Sequence, residues 1–526
     1  MKLRHLLFGL LAGVAFVACT NDNEPAGVTP VKGDNEVATR SYMKVNFVMP
    51  GNAVTRADAE GDAFEYGTTA ENTVTSGVLF FFDGTAQVAD PFELPANLGW
   101  GGETTASIEK VSDVIVVLEN PLRVPTSVVA VLNADLNELK LDKTSTLDEI
   151  KTKVADFAAA GKTESGKFVM SSSAYYGAVN DVAAAIPEDK IFDNKAEAEK
   201  AANAVEIPVE RVVAKVEVNE KQGGADQDLP KVTIEGKEVP LKAKITGWWF
   251  DNAASQSLLL KNIDGFAETA PFDGWNDVPN KRSYWANPNP GTLKHGTFSD
   301  AKDEAQYVQE NVDAKNPTRV VVAAQIVDDK DKAVPLVKYS SELYTEEGFK
   351  TVAANVLAHK YWVLVDNTYK VVSASDFAME YKKVAPEGTT LKPYEAYLEI
   401  KLQEGTTYYV QDGKDEQGNT KYKAATPTAA ELKGYVVQRW QDGSAYYFVP
   451  IKHIAETDNA DAITGVVRNH VYKLTINSIT GLGTPVPFTD VDEIIPTIPT
   501  DTKTYISAKI EILAWKIVEQ GVELGK

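Results

Sequence analysis

The sequence predicts an all-β chain, β-rich with minor helices, and three observations predict it. Short runs of β-branched and aromatic residues recur, each bounded by turn residues. The clearest of these runs alternate apolar and polar residues with a period of two. No regular strand–helix–strand rhythm, the mark of a parallel doubly wound sheet, is present.

Taken in order, the chain opens on the basic stretch Met1-Lys-Leu-Arg-His5, followed by an apolar run from Leu6 to Val17. Phe16-Val-Ala-Cys19 closes it in the pattern of a lipobox, with Phe16 where a leucine is usual. The run is too short to span a bilayer comfortably. It reads as a bacterial lipoprotein signal, cleaved before Cys19 and acylated there, which places the precursor at the outer membrane. An ordinary secretory signal with an incidental cysteine is the alternative. Cys19 is the only cysteine, so no internal disulfide can form.

Thr20 to Arg40 is rich in Asn, Asp, Pro and Gly and suits a tether. Met43, Val45, Phe47 and Met49 then alternate with Tyr42, Lys44, Asn46 and Val48, and Pro50 ends this first strand. Arg56, followed by Ala57, sits in the small, polar stretch Gly51–Asp62. It is either a solvated loop arginine or the target of an Arg-specific protease.

Strands follow at Thr75–Gly84, Asp113–Leu118 and Thr126–Asn133, and Leu147–Ala160 and Lys195–Ala204 have helical composition. Strand alternation restarts at Glu206, and a domain boundary falls near Pro208. The next region holds strand runs at Ala243–Phe250, Thr318–Val327, Tyr435–Trp440, Ala445–Ile451 and Val466–Asn477. Gln441-Asp-Gly-Ser444 has the chemistry of a hairpin turn. Phe488 to Asp501, with Pro496 and Pro499, is an extended linker. In the last stretch Ile506, Ala508, Ile510 and Ile512 share one face. From Leu513 the bulky row shifts to Leu513, Trp515 and Ile517, so two strand segments joined by a bend or bulge are expected. Such a segment either packs on its own domain or reaches another molecule.

The chain of 526 residues is long enough for two to four domains, and 44% apolar content suffices for sizeable cores. A formal charge of -22 argues against nucleic acid as a partner. The five histidines, His5, His295, His359, His453 and His470, are scattered without metal-ligand spacing. Gly161-Lys-Thr163 lacks the first glycine and leading strand of a phosphate loop. Asp412–Gly418 lacks the closing glutamate of a calcium loop and reads as a hairpin turn. Trp248, Trp249, Trp362, Trp440 and Trp515 sit in apolar runs and are expected in cores rather than on a sugar-binding face. These features give no argument for an enzyme, a cofactor or a metal.

Several motifs, in order, resemble the fimbrillins of Bacteroidetes-type bacteria, the pilin family that includes the Mfa-like shaft subunits. They are the lipobox at Cys19, the strand Tyr42–Met49 with Arg56-Ala57 after it, and Val209-Glu-Arg-Val-Val-Ala-Lys-Val216. Ile245-Thr-Gly-Trp-Trp-Phe250, Val467-Arg-Asn-His-Val-Tyr472, Ile479-Thr-Gly-Leu-Gly483 and Ile510-Glu-Ile-Leu-Ala-Trp-Lys-Ile517 complete the set. The resemblance implies two transthyretin-like β-sandwich domains plus a C-terminal donor-strand segment. The expected boundaries are a signal peptide at 1–18, a propeptide at 19–56, sandwiches at 57–208 and 209–487, and the linker and donor at 488–526.

It further implies that an extracellular Arg-specific protease cuts between Arg56 and Ala57 and removes the strand of Met43, Val45, Phe47 and Met49. The donor of the next subunit, with Ile506, Ala508, Ile510, Ile512, Leu513, Trp515 and Ile517, then fills the groove. Its partners are identical subunits, anchor and tip subunits, the protease and surface receptors. An uncleaved anchor subunit and a lipid-anchored glycan-binding protein are the other expectations. Reburying four apolar side chains is worth roughly 6–12 kcal/mol. Donor and acceptor are different surfaces, so the contact need not close and yields a filament.

Overall fold

The computed structural model describes residues 40–50, 64–65, 67–95, 108–119, 123–159, 161–173, 181–192, 194–200, 204–220, 226–229, 231–263, 290–294, 296, 304–311, 313, 315–454, 462–489 and 515–524. The described residues are β-rich, as the alternation and turn chemistry require. Its buried apolar residues gather into three large clusters, each between sheets or between a sheet and a helix.

The first cluster belongs to a nine-stranded sheet. Its main path runs from Ala86–Gln87 through Gly77–Asp83, Ser127–Leu132 and Met170–Ser172 to β4 (Ala204–Arg211), β1 (Arg40–Pro50) and β3 (Ile108–Glu119). Phe80, Phe81 and Phe82 are all fully buried, so both faces of that strand are covered. Short helices supply part of the cover through Leu139, Leu147 and Ile150.

These helices are shorter than composition predicts. The one begun at Leu147 stops at Lys151, because Val154 and Ala155 pair with Leu258 and Ser257 instead. The one begun at Lys195 stops at Ala198, and Ala204 already belongs to β4. Tertiary strand pairing overrides a weak local propensity in both places.

The chain leaves the first sheet at Val212 and enters the second through β5 (Val213–Glu220). This sheet also contains β2 (Phe64–Glu65), β6 (Gln306–Gln309), β7 (His470–Ile479) and β8 (Trp515–Leu524), in the order β2-β8-β7-β5-β6. A second five-stranded sheet, centred on Lys242–Asp251, Arg319–Val327 and Ser444–Pro450, faces it. Val216, Leu474 and Ile476 from one sheet and Trp248, Phe250, Val322 and Tyr447 from the other share one core, which makes a β-sandwich.

The third cluster lies wholly between two strands of that sandwich. Arg319–Val327 and Ser444–Pro450 pair with each other, yet the intervening stretch folds around its own core. One sheet there holds Leu336–Tyr339, Glu342–Thr345, Tyr435–Trp440, Glu395–Leu402 and Phe377–Lys382. The other holds Thr368–Val371, Trp362–Val365, Tyr408–Lys414 and Thr420–Ala424. The longest helix of the described residues, Glu346–Ala358, packs Phe349, Ala353, Ala354 and Leu357 into this core. Thr345 caps it by accepting from the Gly348 amide at 3.0 Å, with Glu346 and Glu347 in its first turn.

Gln441–Ser444, expected as a hairpin turn, joins two strands that do not pair. Tyr435–Trp440 belongs to the inserted unit and Ser444–Pro450 to the sandwich. Asp442 and Gly443 both take positive φ there, so the same turn chemistry carries the chain between sheets. At Asp412–Gly418 the expected hairpin does form, with Asp415 accepting from the amides of Gln417 and Asn419.

Trp248, Trp249 and Trp440 are buried, as expected. Trp362 is only half-buried. It meets Tyr422 edge-on at 5.5 Å, and Tyr422 stacks on Tyr369 at 4.0 Å, on the outer face of the four-stranded sheet.

Candidate assembly site

β1 is the first strand among the described residues but an interior strand of its sheet. It runs antiparallel to β3 over eleven residue pairs, from Arg40 opposite Glu119 to Pro50 opposite Ile108. On its other side it runs parallel to β4 over five pairs, from Lys44 opposite Ala204 to Val48 opposite Pro208. Met43 is fully buried in the first core. The register sets Val45 between Val114 and Val205, in the same row as Met43 opposite Val116, and Val114, Val116, Val205 and Ile207 are all buried. On the opposite face Lys44 is buried too, and the helix Lys195–Ala198 lies close to the strand. A strand set this way closes two ladders at once, and the sheet without it has two unpaired edges facing each other.

Downstream of β2 the chain is fastened by the one-turn helix α1 (Thr69–Asn72). Its start is a capping box: Thr68 Oγ1 accepts from the Glu71 amide, and the Thr68 amide donates to Glu71 Oε2 at 2.6 Å. The Glu71 carboxylate is completely buried. It accepts from the Tyr307 hydroxyl of β6 at 2.6 Å and pairs with Lys215 Nζ of β5 at 3.1 Å. Arg211 donates to the Glu71 carbonyl at 3.0 Å, to Asn72 Oδ1, and to Asn469 Oδ1 at 3.3 Å.

Burial pushes the Glu71 carboxyl up, but Lys215, Arg211 and the Tyr307 hydroxyl outweigh it and hold the group below the usual carboxylate range. Burial lowers Lys215, and Glu71 and Glu217 together more than reverse that, so it stays protonated beyond the usual lysine range. Burial and then the Glu71 charge push the Tyr307 hydroxyl up. Removing one partner from such a set leaves a buried charge uncompensated, at a cost of about 3–5 kcal/mol.

The motif Val467–Tyr472 builds the other side of the same junction. Arg468, fully buried, pairs with Glu310 at 3.1 Å and donates to the carbonyls of Leu258 and Leu259. Asn469 takes a positive φ, and its amide donates to the Val213 carbonyl at 2.8 Å. His470 Nδ1 donates to the Arg468 carbonyl at 2.7 Å, and the Tyr472 hydroxyl accepts from the Val467 amide while sharing a hydrogen bond with His453. Both histidines are thus hydrogen-bonded strand residues. The motif Val209–Val216 meets this one through Arg211 and Asn469 and through the parallel β5–β7 ladder. Their distant positions in sequence become one joint.

β8 runs parallel to β7 over nine pairs, from Lys516 opposite His470 to Leu524 opposite Ile479. Its other edge meets β2 only at Trp515 and Lys516, opposite Glu65 and Phe64. Of the residues singled out from the sequence, Met43, Val45, Phe47 and Met49 thus fall in β1, and Trp515 and Ile517 in β8. Cys19, Arg56, Ala57, Ile506, Ala508, Ile510, Ile512 and Leu513 lie outside the described residues. The Glu71 clamp was missed, although the spacing of a Thr three residues before a Glu, at Thr68 and Glu71, signals a capping box.

Residues 438–521 match the family model described as the C-terminal part of fimbrillin, the major fimbrial subunit protein type IV. No curated protein sequence matches the chain. Among solved structures, the chain is similar to a fimbrillin from Porphyromonas gingivalis W83, at 14% identity and a TM-score of 0.36, over 92% of this chain and 97% of that one. It is also similar to a fimbrial assembly protein from Parabacteroides distasonis ATCC 8503, at 12% identity and a TM-score of 0.30, over 73% and 100% of the two chains. The tip fimbrial protein Mfa3 from Porphyromonas gingivalis aligns at 12% identity and a TM-score of 0.27, over 73% and 100%. The matched segment, from Gln438 to Gly521, holds β7 and most of β8.

Proposed function

We propose that this chain is a structural subunit of a cell-surface fimbrium, most simply of its shaft. In this reading it is exported as a lipoprotein through Cys19 and cut between Arg56 and Ala57. The C-terminal segment of one subunit then fills the slot that β1 vacates in the next. The observation that carries the reading is the place of β1: the first strand of the described residues fills an interior slot between β3 and β4 and ends six residues before Arg56. Excision of that strand opens an apolar groove between two unpaired edges, a surface that a strand of another copy satisfies by main-chain pairing. Cutting after Arg56 removes 6 basic and 4 acidic residues, which takes the formal charge from -22 to -24. Adhesion partners, an anchor subunit and a tip subunit complete the assembly.

The test is digestion of residues 20–526 with an Arg-specific protease, followed by N-terminal sequencing and unheated gel electrophoresis. A new terminus at Ala57 with an SDS-resistant ladder, lost on deleting residues 504–526, supports the reading. A chain that is cut there and stays monomeric rejects it.

A second reading, a lipid-anchored glycan-binding protein, is favoured by one observation. Trp362, Tyr369, Tyr409 and Tyr422 form a ring cluster on the outer face of the inserted unit. Retained lipid together with measurable oligosaccharide binding distinguishes it.

A further inference from the structure

The C-terminal strand is not simply laid on the edge of the sandwich. Its first two residues are enclosed on the outer side by β2, which pairs Glu65 with Trp515 and Phe64 with Lys516. β2 is two residues long, too short to hold a position by its own ladder. Its downstream end is positioned by α1. Glu71 is bound by Lys215 of β5 and Tyr307 of β6, and both of those strands belong to the same sheet as β8. Its upstream end is tied through residues 51–63 to β1, which is locked between β3 and β4.

From this arrangement we infer that β2 is a clasp that keeps β8 docked at home, and that cutting at Arg56 loosens it. The inference rests on the donor-strand reading above. Trp515 and Ile517 belong both to the expected donor and to the docked β8, so the two placements exclude each other for one copy of the segment. The intact chain holds the clasp from both ends. A cut between Arg56 and Ala57 leaves β2 seven residues from a free terminus and fastened only at Glu71. A two-residue strand tethered at one end frays, because its opening no longer strains a connection on the other side. One proteolytic event thus does two things: it severs β1 from the subunit, which opens the acceptor slot, and it uncovers the start of β8, which frees the donor. The 25 residues between Thr489 and Trp515 reach at most about 85 Å when extended, enough to deliver β8 to a neighbouring subunit.

The test uses residues 20–526, which retain every described residue and contain no cysteine. Phe64→Cys and Lys516→Cys replace directly opposed partners of an antiparallel pair, a spacing that a disulfide bridges, and leave Trp515 and Ile517 of the expected donor in place. Hydrogen–deuterium exchange of residues 515–524 is followed before and after cutting at Arg56, with Gly77–Asp83 as a folding control. In the chain without the cysteine pair, exchange in 515–524 is expected to rise at least tenfold on cutting, with the control strand unchanged. The oxidised pair is expected to abolish that rise and the ladder, and reduction to restore both. Glu71→Gln, which weakens the fastening without a cut, is expected to raise exchange in 515–524 of the intact chain several-fold. Unchanged exchange on cutting, or a ladder from the oxidised pair as strong as from the reduced one, overturns the clasp. A rise in exchange without any ladder upholds the clasp and rejects the donor-strand reading.

Discussion

β1 and β8 each run between one parallel and one antiparallel neighbour, but the ladders that hold them differ in length. β1 has eleven partners on one edge and five on the other, and its ladders overlap along Lys44–Val48. β8 has nine partners on one edge and two on the other. A strand paired on both edges can leave its slot only by losing both ladders together, whereas a strand paired along one edge can peel from its exposed side. The chain therefore suits two different exits. In the proposed assembly β1 would stay until a covalent cut separates it from the subunit, and β8 would leave once a two-residue clasp opens.

Arg56→Ala is the most direct way to break that comparison. With β1 still joined to the subunit, its two ladders re-form as fast as they open, and the slot stays filled. The expected outcome is complete loss of the SDS-resistant ladder after protease treatment, with an unchanged melting profile of the intact chain. A ladder from the uncut variant shows that β1 can be displaced without cleavage, and the contrast between the two strands fails.

Lys215→Ala probes the other exit. It leaves Glu71 ionised and buried beside Tyr307, so the intact chain is expected to lose about 3–5 kcal/mol in urea unfolding. The double substitution Glu71→Gln with Lys215→Met removes both charges and is expected to cost clearly less than the single one. Equal losses in the two variants mean that the site contributes shape rather than charge.

Met43→Ala sharpens the comparison from the side of β1. Met43 is fully buried among Val114, Val116 and the rest of the first core, so truncation is expected to cost the intact chain about 2–5 kcal/mol. After cutting and assembly the strand that carries it is gone, and the cost is expected to vanish. An SDS-ladder whose heat stability still tracks residue 43 shows that β1 was never replaced.

Much of this contrast was legible in the sequence. Period-two alternation located β1 to within a few residues, because one face of a half-buried strand cannot be polar. Runs of β-branched and aromatic residues located the strands of the sandwich core and, to within a few residues, β7. Partners were not legible. Gln441–Ser444 has hairpin chemistry whether the next strand returns to the same sheet or departs for another, and only tertiary pairing decides. The helix Glu346–Ala358 was legible and passed over: Thr345, Glu346 and Glu347 mark its start, and Phe349, Ala353 and Leu357 recur on one face. The Glu71 clamp joins residues 71, 211, 215, 307 and 469, and no local pattern links positions so far apart.

The pH response of the clamp is the smallest effect and separates its two charges. The Glu71 carboxyl is held below its usual range in the folded chain, so its contribution is present above the unfolded carboxylate value and is lost as pH falls through the depressed folded value. Lys215 is held above its usual range, so its contribution is present below the unfolded lysine value and is lost only as pH rises through the elevated folded value. Between about pH 6 and 9 neither group changes charge in either state, and the urea midpoint difference between the wild type and Glu71→Gln is expected to stay flat there. It is expected to shrink toward acid pH, where the wild type loses the ionised carboxylate that the variant never had. A difference that instead changes steeply near neutral pH assigns the pH dependence to another group, with His470 at the start of β7 and His453, which shares a hydrogen bond with Tyr472, the first to substitute.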